Sequence, residues 1–319
     1  MRVLLAGATG AIGRPLIRGL KQHGHSAFGC SSESARMLTE MGAEALIGDA
    51  VVAASIRAAI THVRPDAVIN ELTSLPRHYT PAEMKAAAER DSRVRREGNV
   101  SLLAGMRESG VRRYVLQSSG FWYAPGPGLA DESSPLAVDA SPGVAAGSRT
   151  YVELESTAFR ASEIDCVAMR YGFFYGPGTW YTNAGDMGEQ VRRQKVPIIG
   201  AGQGVASFVH IEDAASATVA ALECAPGVYN IVDDYPNQQR VWLPAFARVC
   251  GAPEPLQITE QEALATSGAD SVYYATRLRG ASNEKARHEL NFRPRPLEWL
   301  RDERSQRNMD ESQLRRKVR

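Results

Sequence analysis

The first fifteen residues constrain the fold of this chain more than any other stretch. Residues 3–5 (VLL) form a short apolar run, which is typical of a strand buried on both faces. Gly7, Gly10 and Gly13 follow at three-residue spacing, and an apolar-periodic segment after them predicts a helix. Gly7 allows a tight turn, Gly10 the close approach of phosphate groups, and Gly13 close packing of the helix on the strand. The stretch therefore predicts a nucleotide-binding turn with a pyrophosphate at a helix N-terminus.

The composition of the 319 residues excludes several other classes of protein. Hydrophobic residues make up 44% and charged residues 23%, which is enough apolar material for one large domain or two. The net charge of +1 gives no basis for binding nucleic acid or an anionic membrane. No run of about twenty apolar residues predicts a membrane span, and the first apolar run is too short for a signal peptide.

The cysteines and histidines point to neither disulfides nor a metal. The four cysteines are far apart with no CxxC pair, which indicates reduced packing thiols and a cytoplasmic location. The histidines show no ligand spacing, so we predict no metal site. His210 is expected to have a structural role.

Short apolar strands alternate with helical segments about every twenty residues up to position 170, which predicts a parallel sheet covered on both faces. The fold class is α/β, a Rossmann-type doubly wound sheet with a smaller C-terminal substrate lobe. We expect residues 1–170, completed by about 205–232, to bind the dinucleotide. The expected substrate lobe comprises 171–204 and 233–300, and 301–319 form a polar tail.

A long helix is predicted from about Pro81 to Glu108, because Pro81 suits a first helical turn and Gly110 a helix end. Its middle carries a cluster of four arginines interleaved with acidic residues, a pattern that predicts a solvated helix face. These are Arg90, Arg93, Arg95 and Arg96.

Six landmarks in this order and spacing resemble the NAD-dependent epimerase/dehydratase type of extended short-chain dehydrogenase. They are the glycine turn, Asp49, Gln117-Ser118-Ser119, the stretch 170–177 (RYGFFYGP), the stretch 207–213 (SFVHIED) and the stretch 227–230 (GVYN). The resemblance covers about residues 1–300 and implies a nicotinamide cofactor and an oxidoreductase acting on a small molecule. In that family the long helix often builds a dimer interface, which implies a homodimer.

The cofactor is expected to be NADP(H), with NAD as the alternative. The turn after the second strand reads CSSESAR (30–36), with no carboxylate directly at the strand end. Two serines and Arg36 there suit a 2′-phosphate, which a carboxylate would repel. Asp49 is expected to accept from the adenine amino group or to cap the helix that follows. The cofactor-binding residues implied are Gly7, Thr9, Gly10, Ala11, Ile12, Gly13, Ser31, Ser32, Arg36, Asp49, Ala50, Leu72, Thr73, Ser118, Tyr151 and Tyr171.

The catalytic signature of the family is missing. Its members use a Tyr with a Lys four positions on, which lowers the pKa of the tyrosine and holds the nicotinamide ribose. Here Glu155 stands four residues after Tyr151. In a second alignment Glu155 matches a family Glu, so that Tyr151 takes the Lys position and Gly147 the Tyr position. Either way the lysine is absent, and the usual proton relay is not available.

Three functions therefore compete. We favour an oxidoreductase that transfers hydride with an atypical proton donor. The alternatives are an isomerase, lyase or cyclase that uses the pocket mainly for its shape, and a non-catalytic nucleotide-sensing regulator. The candidate catalytic residues are Ser119, Tyr123, Tyr151 and Tyr175.

Two loops after the fifth and sixth strands hold eight aromatic residues and are expected to line the substrate site, since ligands bind at the carboxyl ends of parallel strands. Packing of the second lobe is the competing explanation for any one of them. The pattern favours an aromatic or natural-product substrate. The substrate residues expected are Arg77, Trp122, Phe173, Phe174 and Trp180.

Overall fold

The apolar runs of the sequence pair into one sheet. The computed structural model of the chain describes residues 1–31 and 35–300. Its strands are β1 (Arg2–Ala6), β2 (Ser26–Ser31), β3 (Glu44–Ile47), β4 (Ala67–Asn70), β5 (Arg113–Ser119), β6 (Asp165–Tyr171), β7 (Phe173–Tyr175), β8 (Ile198–Ile199), β9 (Val205–Ala206), β10 (Phe208–His210), β11 (Gly227–Ile231), β12 (Asn237–Gln238) and β13 (Gln257–Ile258). Its helices are α1 (Gly13–Gln22), α2 (Ala35–Glu40), α3 (Ala53–Val63), α4 (Pro81–Ser109), α5 (Pro142–Phe159), α6 (Asp186–Arg192), α7 (Ile211–Ala220), α8 (Gln239–Val249), α9 (Glu260–Thr276) and α10 (Glu284–Glu289), with a 3₁₀ turn at Glu298–Leu300.

The central sheet has seven strands in the order β11-β6-β5-β4-β1-β2-β3, and every neighbouring pair is parallel. The strand order reverses at β1, which lies between β2 and β4. In an open α/β sheet this switch point opens a crevice beyond the carboxyl ends of the strands, where ligands bind. The doubly wound α/β prediction is confirmed.

β1 joins the two layers of the core because its side chains alternate between them. Val3 and Leu5 pack with α1 and α7 on one face of the sheet. Leu4 and Ala6 pack on the other face, where α3, α4 and α5 lie. The continuous apolar run at residues 3–5 is thus explained by burial on both faces.

α4 has the ends that the sequence predicts. The Thr80 hydroxyl accepts a hydrogen bond from the Glu83 amide, and Pro81 occupies the first turn. Gly110 ends the helix in the left-handed region at φ 71°. α5 begins at Pro142, although Gly143 and Gly147 interrupt the helical pattern of its first turns.

The smaller lobe is built from three short strand pairs and the helices near them. β7 pairs with β10, β9 with β12, and β8 with β13. Its core is rich in aromatic residues, with Phe208 packed edge-on against Trp242 and Trp299. α9 belongs to this lobe and was missed in the sequence, although Thr259 and Glu262 form a capping box at its start.

Candidate active site

The glycine turn between β1 and α1 leaves no space for side chains. Gly7 has φ 83°, and a Cβ there would lie 2.3 Å from the carbonyl oxygen of Glu71. A Cβ at Gly13 would lie 1.8 Å from the carbonyl oxygen of Ala8. α1 begins at Gly13 without a side-chain cap at Ile12 and without an acidic residue in its first turn. The Gly13 amide donates to the carbonyl oxygen of Gly10 at 3.0 Å and Pro15 has no amide hydrogen, so the features that fit the pyrophosphate of a dinucleotide are the close backbone at the glycines and the positive end of the α1 dipole.

A cleft of about 310 Å³ opens beside this turn. One wall consists of residues 9–11 and the start of α1, and the other of Pro177, Gly178 and the first residues of α7. The loop after β7 thus faces the glycine turn across the space that the cofactor phosphates would need.

The adenosine end of the predicted site is only partly described. Ser32 lies outside the described residues. The Arg36 side chain is exposed and donates from Nε to Glu40 Oε1 at 2.7 Å. Asp49 is exposed, and its Oδ1 accepts from the amide of Val51 at 3.0 Å, so its carboxylate closes the turn before α3.

The loop after β4 is held against α4 by Asp91. Asp91 Oδ1 accepts from the Thr73 hydroxyl at 2.9 Å and from the Ser74 amide at 2.5 Å. The Leu72 amide donates to Asn70 Oδ1 at 3.1 Å. The predicted cofactor residues Leu72 and Thr73 therefore lie on a fixed loop at the carboxyl end of β4.

Glu155 is committed to a buried ion pair. Its two oxygens accept from Arg170 Nε at 2.8 Å and Nη2 at 2.6 Å, and Oε1 also accepts from the Ser118 hydroxyl at 2.5 Å. These contacts match the second alignment, in which Glu155 pairs with β6 and does not stand in the lysine position. They also argue against the expectation that Ser118 binds the cofactor, since its hydroxyl donates to Glu155.

Gly147 is covered by an indole ring. A Cβ at Gly147 would lie 2.2 Å from Cζ3 of Trp122. The Trp122 ring packs edge-on against Phe121 at 5.1 Å, and its Nε1 donates to the Tyr274 hydroxyl at 2.9 Å. In the second alignment Trp122 therefore fills the space beside the position where the family has its catalytic tyrosine.

All four predicted proton donors are buried. The Tyr123 hydroxyl donates to Asn230 Oδ1 at 2.5 Å and accepts from Arg170 Nη1 at 3.0 Å, and burial raises its pKa to about 12. Burial also raises the pKa of Tyr175, whose ring packs edge-on against His210. These contacts argue against a catalytic role for the two tyrosines. The Ser119 hydroxyl has no hydrogen-bond partner among the described residues, so its catalytic role stays a prediction.

Tyr151 lies beside a buried arginine that the sequence analysis assigned to a solvated helix face. That assignment is wrong for Arg95, which is 5% exposed. Its guanidinium carbon lies 5.1 Å from the centre of the Tyr151 ring. Arg95 lies four residues before Asn99 and seven before Leu102, and both of these residues are buried. This helical spacing places Arg95 on the buried face of α4 and could have predicted its burial. Burial raises the pKa of Tyr151, and Arg95 only partly offsets this effect.

The aromatic residues form a wall between the two lobes. The rings of Phe121 and Phe173 stack with their centres 4.1 Å apart. The ring of Trp180 stacks on that of Tyr79 at 4.7 Å, and Tyr79 was not among the residues predicted for the site. Trp180 Nε1 donates to the carbonyl oxygen of Arg77 at 2.9 Å, which joins the loop after β4 to the second lobe.

Phe174 does not belong to this wall. Its ring lies 5.2 Å from that of Tyr171 and packs on the core between the sheet, α1 and α7, because successive residues of β7 point to opposite sides. The expectation that Phe174 lines the substrate site is therefore contradicted by its packing.

Glu71 is a buried carboxyl group at the end of β4 that the sequence analysis also missed. It accepts from the Tyr171 hydroxyl at 2.9 Å, which in turn contacts the Thr218 hydroxyl at 2.7 Å. Its second oxygen is buried without a hydrogen-bond partner among the described residues. Burial raises the pKa of Glu71 to about 8, although Tyr171 and Arg95 work in the opposite direction.

Because the pKa of Glu71 is raised in the folded state, we expect the free energy of unfolding to fall as the pH rises. Between the ordinary pKa of 4.5 and about 8, the folded state keeps the proton that the unfolded state releases, so the free energy of unfolding falls through this window. We expect a loss on the order of 3 kcal/mol between pH 5 and pH 9, measured by urea unfolding. Glu71→Gln should remove most of this dependence, whereas Glu97→Gln, at an exposed position of α4, should not. Equal pH dependence in wild type and Glu71→Gln would contradict the assignment.

The structure shows no sign of a metal site or a membrane span in residues 1–31 and 35–300. No group of three potential metal ligands comes together there. Within the same residues no helix has the length and apolar character needed to cross a membrane. His210 Nδ1 accepts from the Glu212 amide at 3.2 Å, at the start of α7.

Comparison with known proteins identifies relatives along nearly the whole chain. The NAD dependent epimerase/dehydratase family matches residues 3–231. The chain is 37% identical over 302 residues to a 3-diazoavenalumate denitrifying reductase from a Streptomyces species, covering 94% of this chain and 98% of that protein. It is 25% identical over 266 residues to a 2-alkyl-3-oxoalkanoate reductase from Stenotrophomonas maltophilia, covering 79% and 77%.

Solved structures show the same fold at low sequence identity. A UDP-glucose 4-epimerase from Stenotrophomonas maltophilia with bound NAD has a TM-score of 0.74 at 19% identity, covering 98% of this chain and 99% of that one. A dTDP-glucose 4,6-dehydratase from Streptomyces venezuelae with bound NAD has a TM-score of 0.73 at 19% identity, covering 96% and 98%.

Proposed function

The chain belongs to the NAD-dependent epimerase/dehydratase family and is an NAD(P)-dependent oxidoreductase of the short-chain dehydrogenase superfamily, and from this premise we propose its reaction. We propose that it is an NADP(H)-dependent reductase that removes the diazo nitrogen from a small aromatic metabolite. The observation behind the proposal is that Trp122 covers Gly147, which in the second alignment holds the tyrosine position while Tyr151 holds the lysine position.

A reduced nicotinamide, when bound, supplies a hydride. Most hydride acceptors of this superfamily are carbonyl groups, whose oxygen needs a proton from the protein. An aryl diazonium group differs because it is already cationic. Hydride on its terminal nitrogen gives a neutral aryldiazene. Loss of the N–H proton to water then lets the C–N bond break and release N₂, and the ring carbon takes a proton back from water to give the arene. No side chain has to donate a proton, and this suits a site where burial raises the pKa of Tyr151.

The aromatic wall supports a flat, electron-poor substrate. Phe121, Trp122 and Phe173 pack on one another beside the carboxyl ends of β5 and β6. Aromatic faces attract cations and stack on planar rings. The name of the 37% identical relative, a denitrifying reductase of a diazo compound, points to the same class of substrate.

The preference for NADP(H) rests on the sequence at the end of β2. Ser31 is the last residue of β2, where a carboxylate would repel a 2′-phosphate, and Arg36 lies in the first turn of α2. We expect kcat/KM to be at least about tenfold higher with NADPH than with NADH, since a charged hydrogen bond contributes on the order of 2 kcal/mol.

Turnover of a diazo substrate is the test of this function. The full chain is incubated with NADPH and either 3-diazoavenalumate or a simple benzenediazonium salt that carries a carboxylate. We expect protein-dependent oxidation of NADPH and release of N₂ in equal amounts, above the background without protein. Oxidation of NADPH by ketones alone, without N₂, would overturn the substrate class. Binding without any turnover would favour the isomerase, lyase or regulator alternatives.

We also propose that the protein is a cytoplasmic homodimer. Three large apolar side chains on α4 and α5 are exposed, namely Val100, Val152 and Phe159. Such a cluster on neighbouring helices favours an interface between two copies. The four cysteines are all free thiols, which suits a reducing compartment. Light scattering should give twice the mass of one chain, and the mass of one chain would contradict the dimer.

A further inference from the structure

Arg95 is a buried cation to which the proposed reaction gives no role. We propose that it is a cofactor-binding residue, which donates to the nicotinamide-side ribose in place of the lysine that this chain lacks. The inference rests on the proposed function only in that the protein binds a nicotinamide dinucleotide. It is independent of the identity of the substrate.

Two hydrogen bonds fix the guanidinium of Arg95, and its third nitrogen, Nη2, has no acceptor among the described residues. Nε donates to Asp91 Oδ2 at 2.7 Å, and Nη1 donates to Gln117 Oε1 at 2.6 Å. The side chain is only 6% exposed. Among the residues that the structure describes, none accepts a hydrogen bond from Nη2. A fixed, buried cation therefore retains donor capacity.

This donor lies beside the carboxyl ends of β4 and β5. Its partner Asp91 also holds the loop after β4 through Thr73 and Ser74, and its partner Gln117 lies near the end of β5. Both strand ends are on one side of the switch point, where ligands bind in open α/β sheets. Arg95 also lies against the ring of Tyr151, which holds the lysine position in the second alignment.

A purely structural role explains the arginine less well. Within residues 1–31 and 35–300 its one carboxylate partner in an ion pair is Asp91, which also accepts from Thr73 and Ser74. Burying a charge is costly unless its partners satisfy it, and a neutral side chain would fill this space at lower cost. A ribose hydroxyl is an acceptor of the kind that the spare nitrogen requires.

The test compares whole cofactor with a fragment that lacks the nicotinamide half. Wild type, Arg95→Met, Arg95→Gln and Arg95→Lys are titrated calorimetrically with NADP⁺ and with 2′,5′-ADP, or with NAD⁺ and AMP if wild type binds NAD⁺ more tightly. Arg95→Met and Arg95→Gln should weaken dinucleotide binding about tenfold or more and change fragment binding less than twofold. Arg95→Lys should restore most of the affinity, because it returns a cation. Arg96→Met is the matched control. Arg96 is the next residue after Arg95, and the substitution removes its ion pair with Glu153, so neither affinity should change.

The selective loss is the decisive result. Unchanged dinucleotide affinity in Arg95→Met or Arg95→Gln would overturn the proposal, and so would an equal loss for dinucleotide and fragment, which indicates a structural role. If Arg95→Met fails to fold, Arg95→Gln decides, since it keeps a donor toward Asp91. If wild type binds neither dinucleotide, the proposed function and this inference fall together. If it binds one but reduces no diazo compound, only the substrate class falls.

Discussion

Replacing Glu155 with alanine should lower the free energy of unfolding by about 3 to 5 kcal/mol, because it leaves the Arg170 guanidinium buried without its carboxylate. Glu155 and Arg170 are about nine-tenths buried and joined by two hydrogen bonds, and Ser118 donates to the same carboxylate. The pair joins α5 to β6, so its loss would loosen the helix that holds Tyr151 and Gly147 against the site. Urea unfolding monitored by circular dichroism measures the effect.

Glu153→Ala is the matched control for this prediction. Glu153 lies two residues earlier on α5 and also pairs with an arginine at 2.6 Å, but the pair is exposed. Its removal should change stability by less than about 1 kcal/mol. The double variant Glu155→Leu/Arg170→Met should recover much of the loss, because it removes both charges together. Equal effects of Glu155→Ala and Glu153→Ala would contradict the importance of burial.

The second large effect is expected at the glycine turn. In Gly13→Ala the new methyl group would lie 1.8 Å from the carbonyl oxygen of Ala8, so either the turn or α1 must move. Movement of a backbone that donates to the cofactor phosphates should lower dinucleotide affinity about 100-fold, a change of about 3 kcal/mol in binding free energy. Isothermal titration calorimetry with NADP⁺ measures it.

Gly19→Ala provides the comparison within the same helix. A Cβ at Gly19 meets only the Cγ2 of Val219, at 3.3 Å, and alanine favours the helix. Cofactor affinity should therefore stay within about threefold of wild type, a difference of less than about 1 kcal/mol. A Gly13→Ala variant that binds NADP⁺ as tightly as Gly19→Ala would mean that the turn does not hold the cofactor.

The parts of the fold that local sequence determines were predicted well. The glycine turn depends on the backbone space at Gly7 and Gly13, and the ends of α4 depend on Thr80, Pro81 and Gly110, which act within one or two turns. Such features can be read from neighbouring residues alone. α9 was not predicted, although the capping box of Thr259 and Glu262 is a local signal of its start.

The residues that line the site were harder to predict, because they depend on which face of each helix packs against the sheet. Arg95 was read as exposed among charged neighbours, yet the orientation of α4 buries it against Gln117 and Tyr151. Trp122 was expected in the substrate wall, but its cover over Gly147 requires β5 and α5 to be docked. Contacts between residues far apart in sequence cannot be inferred from spacing within one element.

The central claim is that this site transfers hydride without a proton from a side chain. The most direct test is the rate of NADPH oxidation with an aryl diazo substrate in wild type and in Tyr151→Phe, which loses the hydroxyl but keeps the ring beside Arg95 and Trp122. In the variant, kcat should stay within about threefold of wild type, and N₂ should still be released. A proton donor contributes on the order of 100-fold or more where the reaction needs one, so a smaller change means that Tyr151 is not the donor. A loss of 100-fold or more in Tyr151→Phe, with cofactor affinity unchanged, would contradict it and make Tyr151 the proton donor.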